Sequence, residues 1–543
     1  MKKFVTALVL FLPLLCNARA TAEWRDIYGR TVAGMEYSHQ VWKGERINVS
    51  AVFKADVPYR DLTLEPGTFR CGKSCIPPEA VRASFISEVI GDELTDRYNQ
   101  CGSRDTLNFK SISVPDLIGA VSSEDVEAGG TVHVWLSIDI PEDAVSGRYR
   151  GTLTFFSEGK KTVSLPYSFK VVDRILPPLK ESPFHLDLWQ NPYAVARYYD
   201  VSLWSKEHFD HLRPVMELLS DAGQKVITAT IMNRPWDGQT EDPFGPMVTR
   251  ILRADGSWLY DYTVFDRWVE FMMSLGIGDQ INCYTMIPWS LTFDYFDQAS
   301  NSTAYVQAAP GSEEYEAYWA PFIRDFADHL RSRGWFEKTC IAMDERPEES
   351  MQAAIRLIRK TEPAFRIALA GIYHASIADE IDDLCLGLGD RFPEGVVEAR
   401  RAAGKISTFY TCCSEKYPNT FLASDPSEAA WLPWMALARG DDGYLRWAFN
   451  SWTTNPMKDA RFRTWPAGDC YMVYPGGLSS VRFERLREGL QDYFKAVILM
   501  SEWGPGSRRT EALEKALSGF TVSEMETHGT ARALESAREA LEE

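Results

Sequence analysis

The adjacent carboxylates Asp344 and Glu345 are the residues of this chain whose types and setting most strongly suggest chemistry. Residues 340–343 (Cys-Ile-Ala-Met) are small or apolar and lead into the pair, and Pro347 follows shortly after it. This pattern is typical of a buried parallel strand whose C-terminal end opens into a site. Burying two neighbouring carboxylates costs on the order of several kcal/mol unless partners compensate, so the pair has either partners or a function. The structural alternative is an Asp that caps the next helix beside a solvated Glu.

Two carboxylates that are neighbours in sequence suit one kind of glycoside chemistry better than the ordinary kind. Ordinary glycosidases place two carboxyl groups on opposite sides of the bond, about 5–5.5 Å apart when retaining and about 6.5–9.5 Å apart when inverting. Neighbours on one strand end are poorly placed for that. They suit the substrate-assisted variant, in which the sugar's own 2-acetamido oxygen attacks the anomeric carbon. One carboxylate then stabilises the cationic intermediate, while the other protonates the leaving oxygen and later deprotonates water.

The elements that must position this pair are predicted by the pattern of the second part of the chain. Short apolar strand candidates alternate there with amphipathic helical stretches, which predicts an α/β fold, a (β/α)₈ TIM-type barrel. Such a barrel forms its site at the C-terminal ends of its strands, and Asp344 and Glu345 end the fourth. The strand candidates are 184–189, 226–232, 281–286, 340–345, 365–370, 384–389, 406–412 and 444–451.

The region before the barrel has a different pattern. Short β-rich segments, such as 46–53, 131–138 and 162–172, are separated by turn residues, which predicts an all-β sandwich. The stretch Leu-Pro-Pro-Leu-Lys at 176–180 is a stiff connector. We therefore expect a multidomain chain: a signal peptide over 1–22, a β-sandwich over 23–178, the catalytic barrel over 179–505 and a short helical C-terminal tail over 506–543.

Aromatic and polar residues recur together at nearly every predicted strand end of the barrel. An aromatic face packs well against the C–H face of a pyranose, and neighbouring polar groups bind its hydroxyls. At any single strand end, a Trp that only packs in the core is the alternative to a sugar-binding Trp. The interpretation therefore depends on the recurrence of aromatic and polar residues at many strand ends. The predicted sugar-binding residues are Trp289, Tyr410, Trp447, Trp452, Asp469, Tyr471 and Tyr474, with Tyr410 expected to hold the acetamide oxygen.

The N-terminus predicts export. Two lysines, an apolar stretch over residues 4–15 and a small-x-small motif ending at Ala20 predict a secretory signal peptide, cleaved after Ala20 or Ala22. We expect a periplasmic or extracellular protein, with a lipid anchor on Cys16 as the less favoured alternative. No later segment is apolar enough to predict an integral membrane span.

The net charge and the cysteines limit which partners, cofactors and disulfides can be expected. The formal net charge of -18 argues against nucleic acid or an anionic membrane surface as a partner. The sequence shows no cluster of metal ligands, so we expect no metal and no catalytic cofactor. Cys71, Cys75 and Cys101 are candidates for one disulfide in an oxidising compartment, with the pairing left open. We expect the six cysteines from Cys283 onward to act mainly as small buried hydrophobes.

The carboxylate pair and several stretches of the barrel sequence resemble those of glycoside hydrolase family 123. The members of this family are exported β-N-acetylgalactosaminidases built from a β-sandwich and a (β/α)₈ barrel. The resemblance covers about residues 23–503. It implies that Asp344 orients the acetamide and stabilises the intermediate, and that Glu345 is the general acid/base. It also implies a glycan with a terminal β-linked 2-acetamido sugar as the substrate. The most specific stretches are 343–347 (Met-Asp-Glu-Arg-Pro), 446–455, 465–477 and 483–493.

Two alternatives from other classes stay open. The first is a hydrolase acting on another sugar by an ordinary two-carboxylate mechanism, with Asp187 or Asp469 as the second carboxylate. The second is a carbohydrate-binding protein that keeps the scaffold without activity. The intact Asp344-Glu345 pair argues against the second, because a binding protein needs no buried proton donor.

Overall fold

The computed structural model of the protein describes residues 20–32, 36–94, 102 and 110–542. Within these residues the N-terminal region consists of strands joined by short turns. Its strands are β1 (Thr21–Arg25), β2 (Glu36–Lys43), β3 (Arg46–Lys54), β4 (Tyr59–Pro66), β5 (Arg70–Cys71), β6 (Ser74–Cys75), β7 (Val81–Asp92), β8 (Ser111–Ile118), β9 (Glu124–Val126), β10 (Thr131–Asp139), β11 (Gly147–Ser157) and β12 (Lys160–Ile175).

Two sheets pack face to face in this region. One sheet has the order β1-β3-β10-β7-β8 and the other has the order β2-β12-β11-β4-β9. Because side chains alternate along a strand, one face of each sheet is apolar and turns inward. The rings of Phe53 and Phe155, one from each sheet, stack with centroids 5.1 Å apart in this core. The region is the predicted β-sandwich.

From residue 185 strands alternate with helices. The strands are β13 (His185–Leu188), β14 (Val226–Thr230), β15 (Thr249–Leu252), β16 (Trp258–Asp261), β17 (Gln280–Tyr284), β18 (Thr292–Asp297), β19 (Ser302–Gln307), β20 (Thr339–Met343), β21 (Arg366–Gly371), β22 (Asp383–Gly387), β23 (Ile406–Tyr410) and β24 (Gly443–Arg446). Eight of them form a parallel sheet in the order β13-β24-β23-β22-β21-β20-β17-β14. All eight predicted strands are present, although the last one ends at Arg446 and not at residue 451.

Side-chain amides join the first and last strands of this sheet into a nearly closed barrel. Between β13 and β14 the backbone bridge is the one from Leu186 to Gln224. The Gln224 Oε1 accepts a hydrogen bond from the Leu188 N–H at 3.0 Å, and the Gln190 Oε1 accepts one from the Thr228 N–H at 2.9 Å. Buried peptide groups need partners, and these two amides supply them where the strands diverge.

Helices cover the barrel and form the tail. They are α1 (Pro192–Tyr199), α2 (Lys206–Asp221), α3 (Thr263–Ser274), α4 (Glu313–Arg333), α5 (Glu348–Thr361), α6 (Val396–Ala402), α7 (Ser427–Arg439), α8 (Val481–Trp503), α9 (Arg508–Leu517), α10 (Val522–His528) and α11 (Ala531–Ala540). The predicted fold class is confirmed: a β-sandwich, a barrel and a helical tail. Within the part of the chain that the structure describes, none of the helices has the length and hydrophobicity that a membrane span requires.

Helix α8 also joins the barrel to the sandwich through buried ion pairs. Arg482 at its start contacts Asp116 of β8, with an Nη2–Oδ2 distance of 3.1 Å. Lys495 further along contacts Glu45, with an Nζ–Oε2 distance of 2.5 Å. Both partners of each pair are buried, and a buried charge without its partner is costly. The pairs therefore stabilise one arrangement of the barrel against the sandwich.

An additional sheet, which the sequence analysis does not predict, interrupts the units that follow β14 and β17. This inserted sheet consists of β15, β16, β18 and β19 in the order β16-β15-β18-β19. Its inner face packs on α4, where the Arg250 guanidinium lies 4.2 Å from the centre of the Phe322 ring and Phe293 stacks on Tyr318. Segments that follow barrel strands leave from their C-terminal ends, so the inserted sheet belongs to the end of the barrel that carries the site.

The cysteine predictions need correction. Cys71 and Cys75 are free thiols on the short β5–β6 hairpin, and Cys101 lies outside the described residues. Cys413, one of the residues expected as a buried hydrophobe, is buried but takes part in a disulfide. Spacing in the sequence cannot predict such a bond, because a disulfide depends on which Cα atoms the fold brings within about 7 Å.

Candidate active site

The carboxylate pair lies where β20 leaves the barrel. Every residue of β20 is buried, and the strand ends at Met343. Pro347 then starts the turn into α5 and makes no side-chain cap. Asp344 is buried and Glu345 is exposed. The structural alternative of a helix-capping Asp is therefore wrong, since the Asp344 Oδ2 accepts a hydrogen bond from the Trp289 indole at 3.1 Å instead.

Asp344 sits in an environment that disfavours its charge but does not remove it. The pKa of Asp344 is raised to about 6, mainly by burial and also by the neighbouring charge of Glu345. The indole N–H groups of Trp289 and Trp236 and the charge of Arg346 act in the opposite direction. The second oxygen, Oδ1, is buried and accepts no hydrogen bond of normal geometry from the described residues, although the Trp236 indole N–H is near enough to lower the pKa of Asp344. Asp344 thus keeps one acceptor for a donor supplied by a ligand.

Glu345 is held by Tyr410 from the end of β23. The Tyr410 hydroxyl donates a hydrogen bond to the Glu345 Oε1. Burial, followed by the charge of Glu345, raises the pKa of Tyr410 above its usual range, so the phenol stays protonated and remains a donor. We expected Tyr410 to hold the acetamide oxygen, and in this structure its hydroxyl contacts the predicted acid/base.

A cavity of about 430 Å³ opens over the pair. Its walls are largely aromatic: Trp189 and Trp236 stack with ring centroids 5.0 Å apart, and Trp447 and Trp465 meet edge to face at 5.8 Å. Aromatic walls with a few polar groups are typical of a sugar site. The lining residues are Trp189, Trp236, Gln239, Trp289, Asp344, Glu345, Arg346, Ala370, Tyr410, Cys412, Cys413, Ser414, Leu445, Trp447 and Trp465.

Five of the predicted site residues come together in this cavity. Asp344, Glu345, Trp289, Tyr410 and Trp447 all line it, although they come from four different barrel strands or the loops that follow them. This is the outcome expected if strand ends converge at one rim of a barrel.

Three predicted sugar-binding residues lie elsewhere, and their prediction is corrected. Trp452, Tyr471 and Tyr474 are fully buried outside the cavity. The Trp452 indole donates to the Val473 carbonyl, and the Tyr471 hydroxyl donates to the Pro456 carbonyl. The Tyr474 hydroxyl donates to Asp116 of the sandwich at 2.6 Å. Tyr474, with Tyr471 packed against it, therefore lies at the joint between the two regions, whereas Trp452 packs on Tyr198 of α1.

Asp469 also lies outside the cavity and has a structural partner. It is fully buried and accepts a hydrogen bond from the Arg446 Nη2 at 2.6 Å, and the Trp447 indole approaches the same oxygen at 3.4 Å. Arg446 in turn donates to the Thr411 carbonyl and to the Asn419 side chain. Asp469 therefore supports the cavity wall from behind and does not reach a bound sugar.

Asp187, the other candidate for a second catalytic carboxylate, lies inside the barrel below the cavity. It is buried, and burial raises its pKa to about 7, with the nearby charge of Asp383 as the next cause. Its Oδ2 lies 3.4 Å from the Asn282 amide. Neither Asp187 nor Asp469 lines the cavity.

Sequence reasoning missed several residues of the cavity wall. Trp189 and Trp236 follow the first two barrel strands, so their position at strand ends was the available signal. Trp465 and Gln239 lie on two separate long loops. A hydrogen bond of 2.7 Å from the Trp465 indole to the Gln239 carbonyl joins the two loops. Arg346 also lines the cavity, and its position directly after the carboxylate pair could have predicted it.

Family models match both regions of the chain. The model described as the catalytic domain of glycoside hydrolase 123 matches residues 189–499, and the model described as the glycoside hydrolase 123 N-terminal domain matches residues 29–156. A comparison with curated protein sequences finds no match.

One solved structure is similar over nearly the whole chain, and another is only distantly similar. A family 123 glycoside hydrolase from Clostridium perfringens, whose structural analysis concerns glycolipid glycan hydrolysis, is 25% identical, with a TM-score of 0.86 over 96% of this chain and 97% of that one. A Bacteroides ovatus family 5 xyloglucanase in complex with a heptasaccharide is much less similar, at 9% identity and a TM-score of 0.29 over 87% of this chain and 100% of that one.

Proposed function

The chain belongs to glycoside hydrolase family 123, and from this membership we propose that it releases β-linked N-acetylgalactosamine from glycans by substrate-assisted catalysis with retention of configuration. Membership makes the protein a glycoside hydrolase; the sugar and the mechanism are the proposal. The observation that carries it is that, among the described residues, Asp344 and Glu345 are the carboxylates that line the cavity.

In the first step, the acetamide carbonyl oxygen of the substrate attacks the anomeric carbon. The bond to the leaving oxygen breaks as Glu345 gives that oxygen its proton. The acetamide nitrogen becomes partly positive in the resulting oxazolinium ion. Its N–H can donate to the Asp344 Oδ1, which accepts no hydrogen bond of normal geometry from the described residues, while Trp289 holds the Oδ2. The negative charge of Asp344 then stabilises a charge that develops only in the transition state.

In the second step, water opens the oxazolinium ring. Glu345, now a carboxylate, accepts a proton from the water as its oxygen bonds to the anomeric carbon, and the acetamide is restored. Two displacements on the same carbon leave the configuration retained. The Tyr410 hydroxyl contacts Glu345 and supports it in both protonation states.

The positions of the other candidate carboxylates favour this mechanism over the ordinary one. An ordinary pair needs a second carboxylate across the scissile bond. Asp187 lies in the barrel interior and Asp469 behind the wall, paired with Arg446. Because no further carboxylate of the described residues lines the cavity, we take the acetamide of the substrate to be the nucleophile.

The source of the glycan is also part of the proposal. The Clostridium perfringens relative is described for glycolipid glycan hydrolysis, so glycolipid glycans with terminal β-linked N-acetylgalactosamine are the first natural substrates to test. Export by the N-terminal signal peptide would bring the enzyme to such glycans. Cleavage after Ala20 would keep the whole of β1, which begins at Thr21.

A panel of chromogenic β-glycosides tests the proposal. We expect hydrolysis of the N-acetylgalactosaminide, weaker hydrolysis of the N-acetylglucosaminide, and no turnover of the galactoside or glucoside, because those lack the internal nucleophile. The double variant Asp344→Asn/Glu345→Gln, purified in the same way, is the control for contaminating activity, because a good leaving group does not rescue the loss of Asp344. Comparable turnover of the galactoside would contradict the proposal.

A further inference from the structure

The outer face of the inserted sheet exposes a row of apolar side chains. Tyr305 of β19 is 66% exposed, Leu259 of β16 is 39% exposed and Phe296 of β18 is 36% exposed. The opposite face is covered by α4, so this outer face is the free one. Soluble proteins seldom expose contiguous apolar groups without a binding role.

The strand register places these side chains side by side. Leu259 pairs with Ile251 of β15, and Ile251 pairs with Phe296, so three apolar residues cross three neighbouring strands. Tyr305 pairs with Asp294, two residues before Phe296, which makes Tyr305 and Phe296 diagonal neighbours about 7–8 Å apart. The aromatic rings thus form a platform, and Asp294 supplies hydrogen-bonding oxygens beside it.

This platform continues from the rim of the cavity. Trp289 lines the cavity, is 38% exposed, and is followed by β18 after two intervening residues. Asp294 lies five residues beyond Trp289, and five extended residues span at most ~17 Å. Tyr305 pairs with Asp294, so a chain of a few sugars that leaves the cavity past Trp289 comes within reach of Tyr305.

We propose that the outer face of the inserted sheet binds the part of the glycan beyond the sugar that is cleaved. Exposed rings stack on pyranose faces, while carboxylate and amide groups such as those of Asp294 and Gln307 bind sugar hydroxyls. This inference rests on the proposed function, because it takes the substrate to be a glycan held in the cavity.

Charge favours a glycan over the surface of a membrane. In this fully described sheet the strand residues on the outer face include Asp261 and Asp294 and no Lys or Arg, and the whole chain carries a formal charge of -18. Anionic lipid surfaces attract basic residues, so this face would be repelled by them. A neutral polyhydroxylated chain has no such penalty.

The test compares a short and a long substrate. Tyr305→Ala, Phe296→Ser and the double variant are assayed on an aryl β-N-acetylgalactosaminide and on a tetrasaccharide with the same terminal sugar. We expect the double variant to lose about five- to tenfold in kcat/KM on the tetrasaccharide relative to the aryl substrate, mainly through KM. Tyr305→Phe, which keeps the ring, should retain most of the preference.

Ile175→Ser is the matched control, since Ile175 is 53% exposed at the end of β12 in the sandwich. It should leave the ratio of the two substrates unchanged. Turnover of the aryl substrate tests the proposed function alone, and the ratio tests the platform alone. Titration calorimetry of the tetrasaccharide with Glu345→Gln, with and without the double change, gives a readout that needs no turnover.

Three results would overturn the inference. The first is an equal loss on both substrates, which would indicate a structural role. The second is an unchanged ratio and an unchanged affinity for the tetrasaccharide. The third is a double variant that differs from the parent only in self-association by light scattering or in binding to phosphatidylcholine vesicles, which would assign the face to a second copy of the chain or to a membrane.

Discussion

Asp344 and Asp469 are both buried carboxylates near the C-terminal end of the barrel, and their surroundings differ in one decisive respect. Asp469 forms an ion pair with Arg446 at 2.6 Å. Asp344 accepts an indole N–H at 3.1 Å and lines the cavity. One carboxylate is paired with a buried cation behind the cavity wall, while the other accepts a neutral N–H group and can be reached by a ligand in the cavity.

This difference separates a structural carboxylate from a candidate catalytic one. A buried charge with its partner in place stabilises an arrangement, and removing the partner leaves a large penalty. A buried charge that has no paired cation is costly in the resting protein. It is tolerated where a ligand or a transition state supplies the positive charge. The following predictions test that contrast, from the largest expected effect to the smallest.

Removing Arg446 should destabilise the protein strongly. Arg446→Met leaves the Asp469 charge buried and uncompensated, so the free energy of unfolding should fall by about 3–5 kcal/mol in urea denaturation. The double variant Arg446→Met/Asp469→Leu should recover much of that loss, because no charge remains. A loss below about 1 kcal/mol in the single variant would mean that Asp469 is not held by this pair.

Asp344→Asn should instead impair catalysis. Losing the charge that stabilises the oxazolinium ion should lower kcat about 10²–10³-fold, a preorganised electrostatic contribution of about 2.7–4 kcal/mol. The loss should persist with an excellent leaving group, whereas good leaving groups should partly rescue Glu345→Gln. Asp469→Asn, measured on folded protein, should change kcat far less; a similar loss in both variants would erase the distinction.

The same Asp344→Asn change should stabilise the protein at high pH. The pKa of Asp344 is raised from 3.8 to about 6, so the folded state binds this proton more tightly than the unfolded state does. Its contribution to stability is present below pH 3.8 and is lost as the pH rises through about 6. At pH 8 the asparagine variant should be more stable by up to about 3 kcal/mol, and at pH 4 nearly equal to wild type. Thermal denaturation at both values measures this; a gain that does not depend on pH would contradict it.

Trp289→Phe should move the acid limb of the pH profile. Because Asp344 must be ionised, kcat/KM of the wild type should fall as the pH drops through about 6. A hydrogen bond to a charged group is worth about 1.5–3 kcal/mol, so its loss should shift the limb upward by about 1–2 pH units. Trp447→Phe, a change in the same cavity at a residue that does not contact Asp344, should lower the rate without shifting the limb.

The sequence predicted the barrel and the pair well because both depend on local pattern. A fully buried parallel strand is rich in apolar and small residues, and each of the eight stretches is, although polar residues such as His185, Asn282 and Arg366 occur among them. The convergence of Trp289, Tyr410 and Trp447 on the cavity follows from their position at strand ends. These are statements about which end of a strand a residue occupies, and sequence carries that information.

The direction of a side chain beyond a strand end depends on contacts that sequence does not show. Tyr474 was expected at the sugar and instead pairs with Asp116, which is 358 residues away in the chain. The inserted sheet was missed because strands such as β16, with four residues, are too short for their alternation to stand out. Trp465 reaches the cavity wall through a bond to Gln239 on a distant loop.

The central claim is that the acetamide of the substrate is the nucleophile. The most direct measurement is the rate of hydrolysis of aryl β-galactosaminides that share one leaving group and carry N-acetyl, fluoroacetyl, difluoroacetyl or trifluoroacetyl groups. Each fluorine makes the carbonyl oxygen a weaker nucleophile, so the account predicts that kcat/KM falls steeply along the series. Rates that do not change along the series would contradict it and would require a nucleophile on the enzyme.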